Sequence, residues 1–287
     1  LMTSDRIDQY IDGLQEDVGN ITIHQLLTHS SGMIEYSGKD EQLLDKDGLI
    51  MMINNSKLRF SPGERFAYSN VGYSLLGIII EKVSGQTYEQ FLKENLFDPA
   101  GMSNTGYVLP DWDTKNFAIG YNRRGAWGNV FKKNAYAQGV SWNLKANGGL
   151  LSTMEDMYKW HVALTNGIIF PQEVLEKMYG KYINTPADFN PFNDKSLGYY
   201  GYGWGLTESA NNKPVIMHGG SNDVFVAGYM YYPEDDIFLF ITSNRVAKNA
   251  AEAILDIDKI ISRKKYDLPK PDVIPDSEII KLYVGGY

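Results

Sequence analysis

The chain has 287 residues, a net charge of −8, 43% hydrophobic residues and no cysteine. That length holds one large domain or two small ones around a real core. The missing cysteine excludes disulfides, thiolate metal sites and a cysteine nucleophile. Lys and Arg are scattered, densest at Arg263-Lys264-Lys265, which argues against a nucleic-acid partner. The apolar runs at Ile78–Ile80 and Phe238–Ile241 fall far short of the ~20 residues a membrane span needs. No signal peptide is visible, and the compartment stays open.

In chain order, Asp5 to Leu14 has a short helical pattern. Thr22 caps a short helix through Thr28, which His29-Ser30-Ser31-Gly32 stops. Glu41 to Asn54 is a second helix, and Ser61-Pro62-Gly63-Glu64 a turn. From Asn70 to Ser84, Val71, Leu75, Leu76, Ile78, Ile79 and Val83 cover most of a helix surface, so that helix is buried. Gly72 and Gly77 cost helix propensity there and predict close packing. Gly85 ends it, and Thr87 opens a helix to Leu96. Residues 103–147 are rich in Gly, Asn, Tyr and Trp and read as long loops with short strands. Ser152 to Glu155 forms a capping box before a helix to Leu164, and Pro171 opens another to Met178. Tyr200, Tyr202, Trp204 and Leu206 alternate like a strand. Val215–His218, Val224–Tyr232 and Ile237–Ser243 continue an antiparallel meander. A helix follows over Ala247–Ser262, then a linker stiffened by Pro269, Pro271 and Pro275. The expected division is a mostly helical 1–198, a strand-and-helix 199–265, and a linker with the start of a further β domain at 266–287.

Two spacings carry chemistry. Tyr68-Ser69-Asn70 lies just before the buried helix, where Asn70 could cap and Tyr68 could project into a cleft. A cap with a packed aromatic is the plain structural alternative. Far downstream, His218-Gly219-Gly220-Ser221 closes a strand-like segment. The four histidines, at 24, 29, 161 and 218, show no metal-ligand spacing. His161 reads as an ordinary surface or packed residue. Ser262-Arg-Lys-Lys265 is the one literal Ser-x-x-Lys and reads as a solvated helix end. Ser30 and Ser31 beside His29 read as a tight turn, since no Gly-x-Ser-x-Gly elbow is present. The loop aromatics, among them Tyr107, Trp112, Tyr136 and Trp142, serve either loop packing or a cleft wall.

Taken together, Ile21–Gly32, Ser61–Gly77, Leu96–Thr105, Ala146–Thr153 and His218–Gly220 resemble, in the same order, segments of the serine β-lactamase and penicillin-binding-protein superfamily. Its relatives include class C β-lactamases, D-alanyl-D-alanine peptidases and family VIII-type esterases. The resemblance implies an α+β, β-lactamase-like fold: a helical subdomain plus an antiparallel sheet flanked by helices. About three sheet strands are expected from this chain. It also implies a serine hydrolase working through an acyl-enzyme on an ester, D-peptide or β-lactam. Tyr68 would be the general base, alone or with a lysine. Asn70 would bind that lysine and the substrate, and His218 would stand where many relatives have Lys. Gly220 and the Ser221 N–H would form half of an oxyanion hole. Loss of a Lys at 218 weakens attraction for a substrate carboxylate and favours an esterase or peptidase. No cofactor or metal is implied, and a periplasmic or extracellular setting is favoured.

The first signature of that superfamily, the Ser-x-x-Lys that supplies the nucleophile, does not precede Tyr68. The N-terminal part of the fold is therefore expected to come from a missing segment or a second chain, leaving a large apolar cleft in this one. The end Ile279–Tyr287 resembles the start of a following β domain, consistent with truncation at both ends. A free tyrosine, with a pKa of about 10, is roughly one part in a thousand phenolate at pH 7. A neutral His218 adds little positive field, so this chain alone should be catalytically silent. The competing reading is a non-catalytic sensor or binding protein on the same fold. In either case the partner is a small molecule or peptide.

Overall fold

The structure, a computed structural model, describes residues 1–266 apart from 40–41, 111, 134–135, 137–138, 187–188, 190–197, 223 and 246–247. The proline linker and the expected start of a β domain lie outside the described residues. The chain opens with a 3-10 turn at Ile7–Gln9, where a helix over Asp5–Leu14 was expected. Short helices α1 (Glu16–Gly19) and α2 (Ile23–Leu27) follow, the latter closed by the Thr22–Gln25 capping box. Helix α3 (Lys46–Asn54) starts later than Glu41 because Asp45 accepts the Gly48 N–H and sets its N-terminus.

Helix α4 (Asn70–Ser84) is the central element. Leu75 and Ile79 are fully buried against Leu26, Leu49 and Ile53, with Ile7 and Ile21 beneath. Full burial of each such side chain stabilises by about 1.5–3 kcal/mol. A Cβ on Gly77 would lie 2.5 Å from the Ala146 Cβ, so glycine is what lets residues 142–146 lie against α4. Helix α5 (Tyr88–Leu92) carries the Thr87–Gln90 capping box and runs into a π turn at Lys93–Phe97.

Among its described residues, the long 103–147 region holds a small hairpin, β1 (Gly120–Asn122) with β2 (Gly125–Gly128). It is anchored from α5. The Glu89 Oε1 accepts the backbone N–H groups of Tyr107, Val108 and Leu109 at 2.8, 2.6 and 2.6 Å. Glu89→Ala strands three donors at once and should lower unfolding stability by about 2–3 kcal/mol. Glu89→Gln keeps an acceptor oxygen and should cost less. Urea unfolding of both variants tests this order.

Helix α6 (Met154–Thr165) is capped by Thr153, which accepts the Asp156 N–H at 3.1 Å. The expected Ser152–Glu155 box is displaced by one residue because Ser152 is bonded to Thr105 instead. Helix α7 (Gln172–Met178) begins after Pro171 as expected.

Six strands then form one antiparallel meander in the order β3-β4-β5-β6-β7-β8. They are β3 (Ile183–Thr185), β4 (Gly198–Tyr200), β5 (Gly205–Glu208), β6 (Pro214–Asn222), β7 (Phe225–Tyr232) and β8 (Ile237–Ser243). Six strands among the described residues thus stand where about three were expected. The alternating run from Tyr200 to Leu206 is not one strand. It reverses at residues 201–204, where Gly203 has φ +78, and becomes a hairpin.

The pleat sorts side chains between two faces. Ile216, Tyr229 and Tyr231 pack with Leu164 of α6 and Leu175 of α7. Val215, Met230 and Tyr232 face the other way, against Ile254 and Ile261 of α8 (Lys248–Ile261). The sheet is therefore covered by helices on both faces. No helix among the described residues is long and apolar enough to cross a membrane.

Candidate active site

Tyr68 sits in the extended segment leading into α4. Ser69, not Asn70, is the N-cap. Its Oγ accepts the Gly72 N–H at 3.1 Å and donates to the Ile34 carbonyl at 2.7 Å. This corrects the capping role expected of Asn70. Asn70 is the first helical residue; its backbone N–H is taken by the Glu35 carbonyl at 2.9 Å. Relieved of capping, its side chain lines the cleft.

His218 comes from β6. By strand parity it shares a face with Ile216 and Gly220, the face turned towards α6 and α7. The pairing of β5 with β6 ends at Gly205 and Met217, whereas β7 pairs with β6 as far as Asn222. From His218 onward, one edge of β6 has no strand partner among the described residues. Alternate backbone N–H groups on such an edge point away from β7 and are available to a ligand.

Tyr68 and His218 meet although 150 positions apart. The Tyr68 hydroxyl is 3.5 Å from His218 Nε2, and the Tyr200 hydroxyl is 3.2 Å from the same nitrogen. One cleft of about 2250 Å³ is lined by Tyr68, Asn70, His218, Gly220 and Ser221 together. All five expected site residues thus come to one place. The cleft is more than twice the ~300–1,000 Å³ of an ordinary small-molecule pocket. Trp112, Phe189 and Tyr200 contribute aromatic wall, Tyr136 belongs to both the wall and the core, and Tyr107 and Trp142 are core. The loop aromatics are thus divided between wall and packing.

The electrostatics run against a free base. Burial, with smaller contributions from the neighbouring Tyr36 and Glu35, pushes the Tyr68 phenol up to about 12. Burial also lowers the His218 pKa, keeping that ring neutral. The charged side chains of the described lining are Glu35, Lys39 and Asp113. No group of His, Cys, Asp or Glu among the described residues is arranged to hold a metal ion.

Sequence reasoning missed the platform beneath Tyr68. The His29 ring lies 4.0 Å from the Tyr68 ring, centroid to centroid, with Phe66, Tyr73 and Tyr200 around it. His29 Nδ1 accepts the Ser69 N–H at 3.0 Å, and its carbonyl accepts the Ala67 N–H at 2.8 Å. The His29-Ser-Ser-Gly turn is structural as expected, and it also shapes the backbone that presents Tyr68. The one available signal was His29 lying in the segment Ile21–Gly32, without a partner in the sequence itself.

Burial drives the His29 pKa down to about 3. An unfolded histidine titrates near 6.5. Below that pH the unfolded chain binds a proton the folded chain refuses. The His29 contribution is therefore complete above pH ~6.5 and is lost as pH falls towards 3, at about 1.4 kcal/mol per pH unit. His29→Gln should flatten stability against pH in that window. Urea midpoints at pH 7, 5.5 and 4.5 measure it.

The remaining candidates lie elsewhere. His161 is packed, with Nδ1 2.9 Å from the Tyr229 hydroxyl and its ring stacked on Phe238 at 4.4 Å. Ser262 is buried and bonds Asn211, contrary to the expected solvated end, because the chain turns back against the 209–213 hairpin there. It does not line the cleft.

A helix N-terminus carrying Tyr-x-Asn, set across one cleft from the free edge of a His-x-Gly strand, defines the β-lactamase-like class of α+β proteins. The chain belongs to the beta-lactamase family, whose model matches residues 1–260. It is 26% identical to penicillin-binding protein 4* of Bacillus subtilis, over 99% of this chain and 65% of that protein. It is 24% identical to protein flp of Staphylococcus aureus strain MW2, over 86% of this chain and 48% of that protein. The chain thus spans between about half and two thirds of these relatives' length. Among solved structures, the octameric penicillin-binding protein homologue from Pyrococcus abyssi superposes with a TM-score of 0.74 at 27% identity, covering 92% of this chain and 61% of that one. D-amino acid amidase from Ochrobactrum anthropi SV3, at 20% identity and TM-score 0.75 over 91% of this chain and 78% of that one, shares the fold.

Proposed function

We propose that this chain is the base-and-strand half of a serine hydrolase that works through an acyl-enzyme on an ester, amide or D-peptide. The observation that carries the reading is the convergence of Tyr68, Asn70 and His218 on one cleft, beside a strand edge with no partner among the described residues. In this reading a serine, from a Ser-x-x-Lys segment outside this sequence, attacks the substrate carbonyl. Tyr68 takes its proton and returns it to the leaving group. The Lys ammonium of the same segment lies beside Tyr68 and lowers its pKa. Asn70 holds that lysine and the substrate amide. The Ser221 N–H, on the open stretch of β6, is one oxyanion donor, and the N–H of the nucleophile is the other. Gly220 keeps the approach clear: a Cβ there would meet nothing within 4 Å, so the space before it is open to substrate.

The size of the cleft supports an additional protein segment as well as a substrate. The neutral His218, with the carboxylates of Glu35 and Asp113 against the ammonium of Lys39 in the described lining, favours substrates without a carboxylate next to the scissile bond.

Labelling of the intact protein with a fluorophosphonate, followed by peptide mass mapping, tests the reading. The expected product carries the probe on the serine of a Ser-x-x-Lys. Intact protein that never labels with either a fluorophosphonate or a fluorescent penicillin points instead to a binding or sensor protein.

A further inference from the structure

The turn that packs against α4 brings a polar side chain to the cleft that the mechanism above does not use. Asn70, Ser74 and Gly77 follow one another along one face of that helix. Ala146 lies against Gly77, and Asn147 is bonded to Ser74, which sets Asn147 about one helical turn from Asn70. Both asparagines line the cleft. Chemistry fixes which way the Asn147 amide faces. Its Nδ2 donates to the Ser74 Oγ and to the Asn143 carbonyl, each at 2.8 Å. A carbonyl only accepts, so the nitrogen must face Asn143. Ser74 is buried, and its one proton serves the carbonyls of Trp142 and Lys145, both 3.0 Å away, which leaves lone pairs for Asn147. Both amide protons are thus spent within the protein. Oδ1 has no hydrogen-bond partner among the described residues, and it is not one of their buried unpartnered atoms, which belong to His29, Asn129 and Thr207. It is therefore open to the cleft that its residue lines.

The turn is also held in an uncommon shape. Ala146 has φ +70, a left-handed conformation that residues with a Cβ seldom adopt. The buried Tyr107 keeps it there: its hydroxyl accepts the Ala146 N–H at 3.0 Å and donates to the Gly148 carbonyl at 2.9 Å. Such conformations persist where the surroundings over-determine them, and they cluster at ligand sites.

We propose that Asn147 is a substrate-binding residue whose Oδ1 accepts an N–H on the acyl side of the scissile bond, beside the part of the substrate that Asn70 holds. The inference rests on the hydrolase reading for its place in a reaction. An amide whose two protons are already bonded cannot rotate to offer an N–H instead, so it reads one polarity. It accepts from an acylamino N–H and has nothing to offer a methylene or an ether oxygen in the same place. A site built this way selects substrates that carry the donor over those that lack it.

Two esters test this in the intact protein: phenyl N-acetylglycinate, and phenyl 4-oxopentanoate, in which a methylene replaces the N–H. Each kcat/KM is taken relative to the hydroxide-catalysed rate of the same ester. The wild type should favour the first by about tenfold, the worth of one hydrogen bond. Asn147→Ala should bring the two to within about twofold, chiefly by slowing the N-acetylglycinate. A residue that only held the turn would slow both esters alike. An unchanged ratio in Asn147→Ala therefore overturns the proposal, and so does a wild type without the preference. Should Asn147→Ala not fold, Asn147→Ser, whose hydroxyl can still bond the Asn143 carbonyl, is read in the same way. Failure of the hydrolase reading looks different: neither ester is hydrolysed. N-acetylglycinamide and 4-oxopentanamide are then compared by Kd, with the same tenfold preference and the same loss in Asn147→Ala expected, and equal Kd values are fatal to the role of Asn147.

Discussion

Tyr68→Phe in the intact protein should lower kcat by about 10²–10⁴-fold, the range of a lost general base, with little change in KM. A phenol near 12 gives up its proton at pH 7 at a cost of roughly 7 kcal/mol. One ammonium about 4 Å away supplies roughly 4 kcal/mol at an effective dielectric of 20, more than half of that cost. Rates of ester hydrolysis in single-turnover mode measure the effect on acylation. A Tyr68→Phe enzyme within threefold of wild type would remove Tyr68 from the chemistry.

Residues 1–287 by themselves should neither hydrolyse an activated ester above background nor take up a fluorophosphonate. In the proposed mechanism the nucleophile, the ammonium and one oxyanion donor come from a Ser-x-x-Lys segment that this sequence does not contain, and the groups it does contain present a neutral imidazole and a phenol held protonated by burial. Supplying a segment that carries Ser-x-x-Lys, by co-expression or by fusion, should restore labelling on that serine. It should also raise the thermal midpoint, because the apolar lining of a 2250 Å³ cleft would leave water. Labelling of Ser30, Ser31 or Ser262 in the isolated chain would refute this division of the site. All three are buried, and none lines the cleft.

Much of the helical layer was legible because its signals are local. Thr22, Thr87 and Gly85 mark helix ends through side chains and backbone within one turn of themselves. Where two local signals competed, context decided. Ser69 took the cap from Asn70 because Ile34 and His29 were there to bond it. Thr153 took it from Ser152 because Thr105 engaged the Ser152 hydroxyl. The strand count was underestimated for a similar reason. Gly203 turns the Tyr200–Leu206 run back on itself, and alternation alone cannot distinguish one strand from a tight hairpin.

In this cysteine-free acidic chain, Tyr68-Ser-Asn70 before a buried helix and His218-Gly-Gly at a strand end supplied short patterns, and their resemblance to the β-lactamase-like superfamily turned them into a list of candidate site residues. Each member is a short-range pattern of residue types, and such patterns survive in one dimension. The distance between Tyr68 and His218, the open edge of β6 and the pKa of about 12 at Tyr68 are properties of burial and of contacts between remote segments. Only tertiary structure could decide them. It also decided the part played by His29, Tyr73 and Tyr200, whose environments are made by α2, α4 and β4 coming together. A tyrosine read from sequence is a phenol of ordinary acidity, and it was the packing around Tyr68 that made it need a cation.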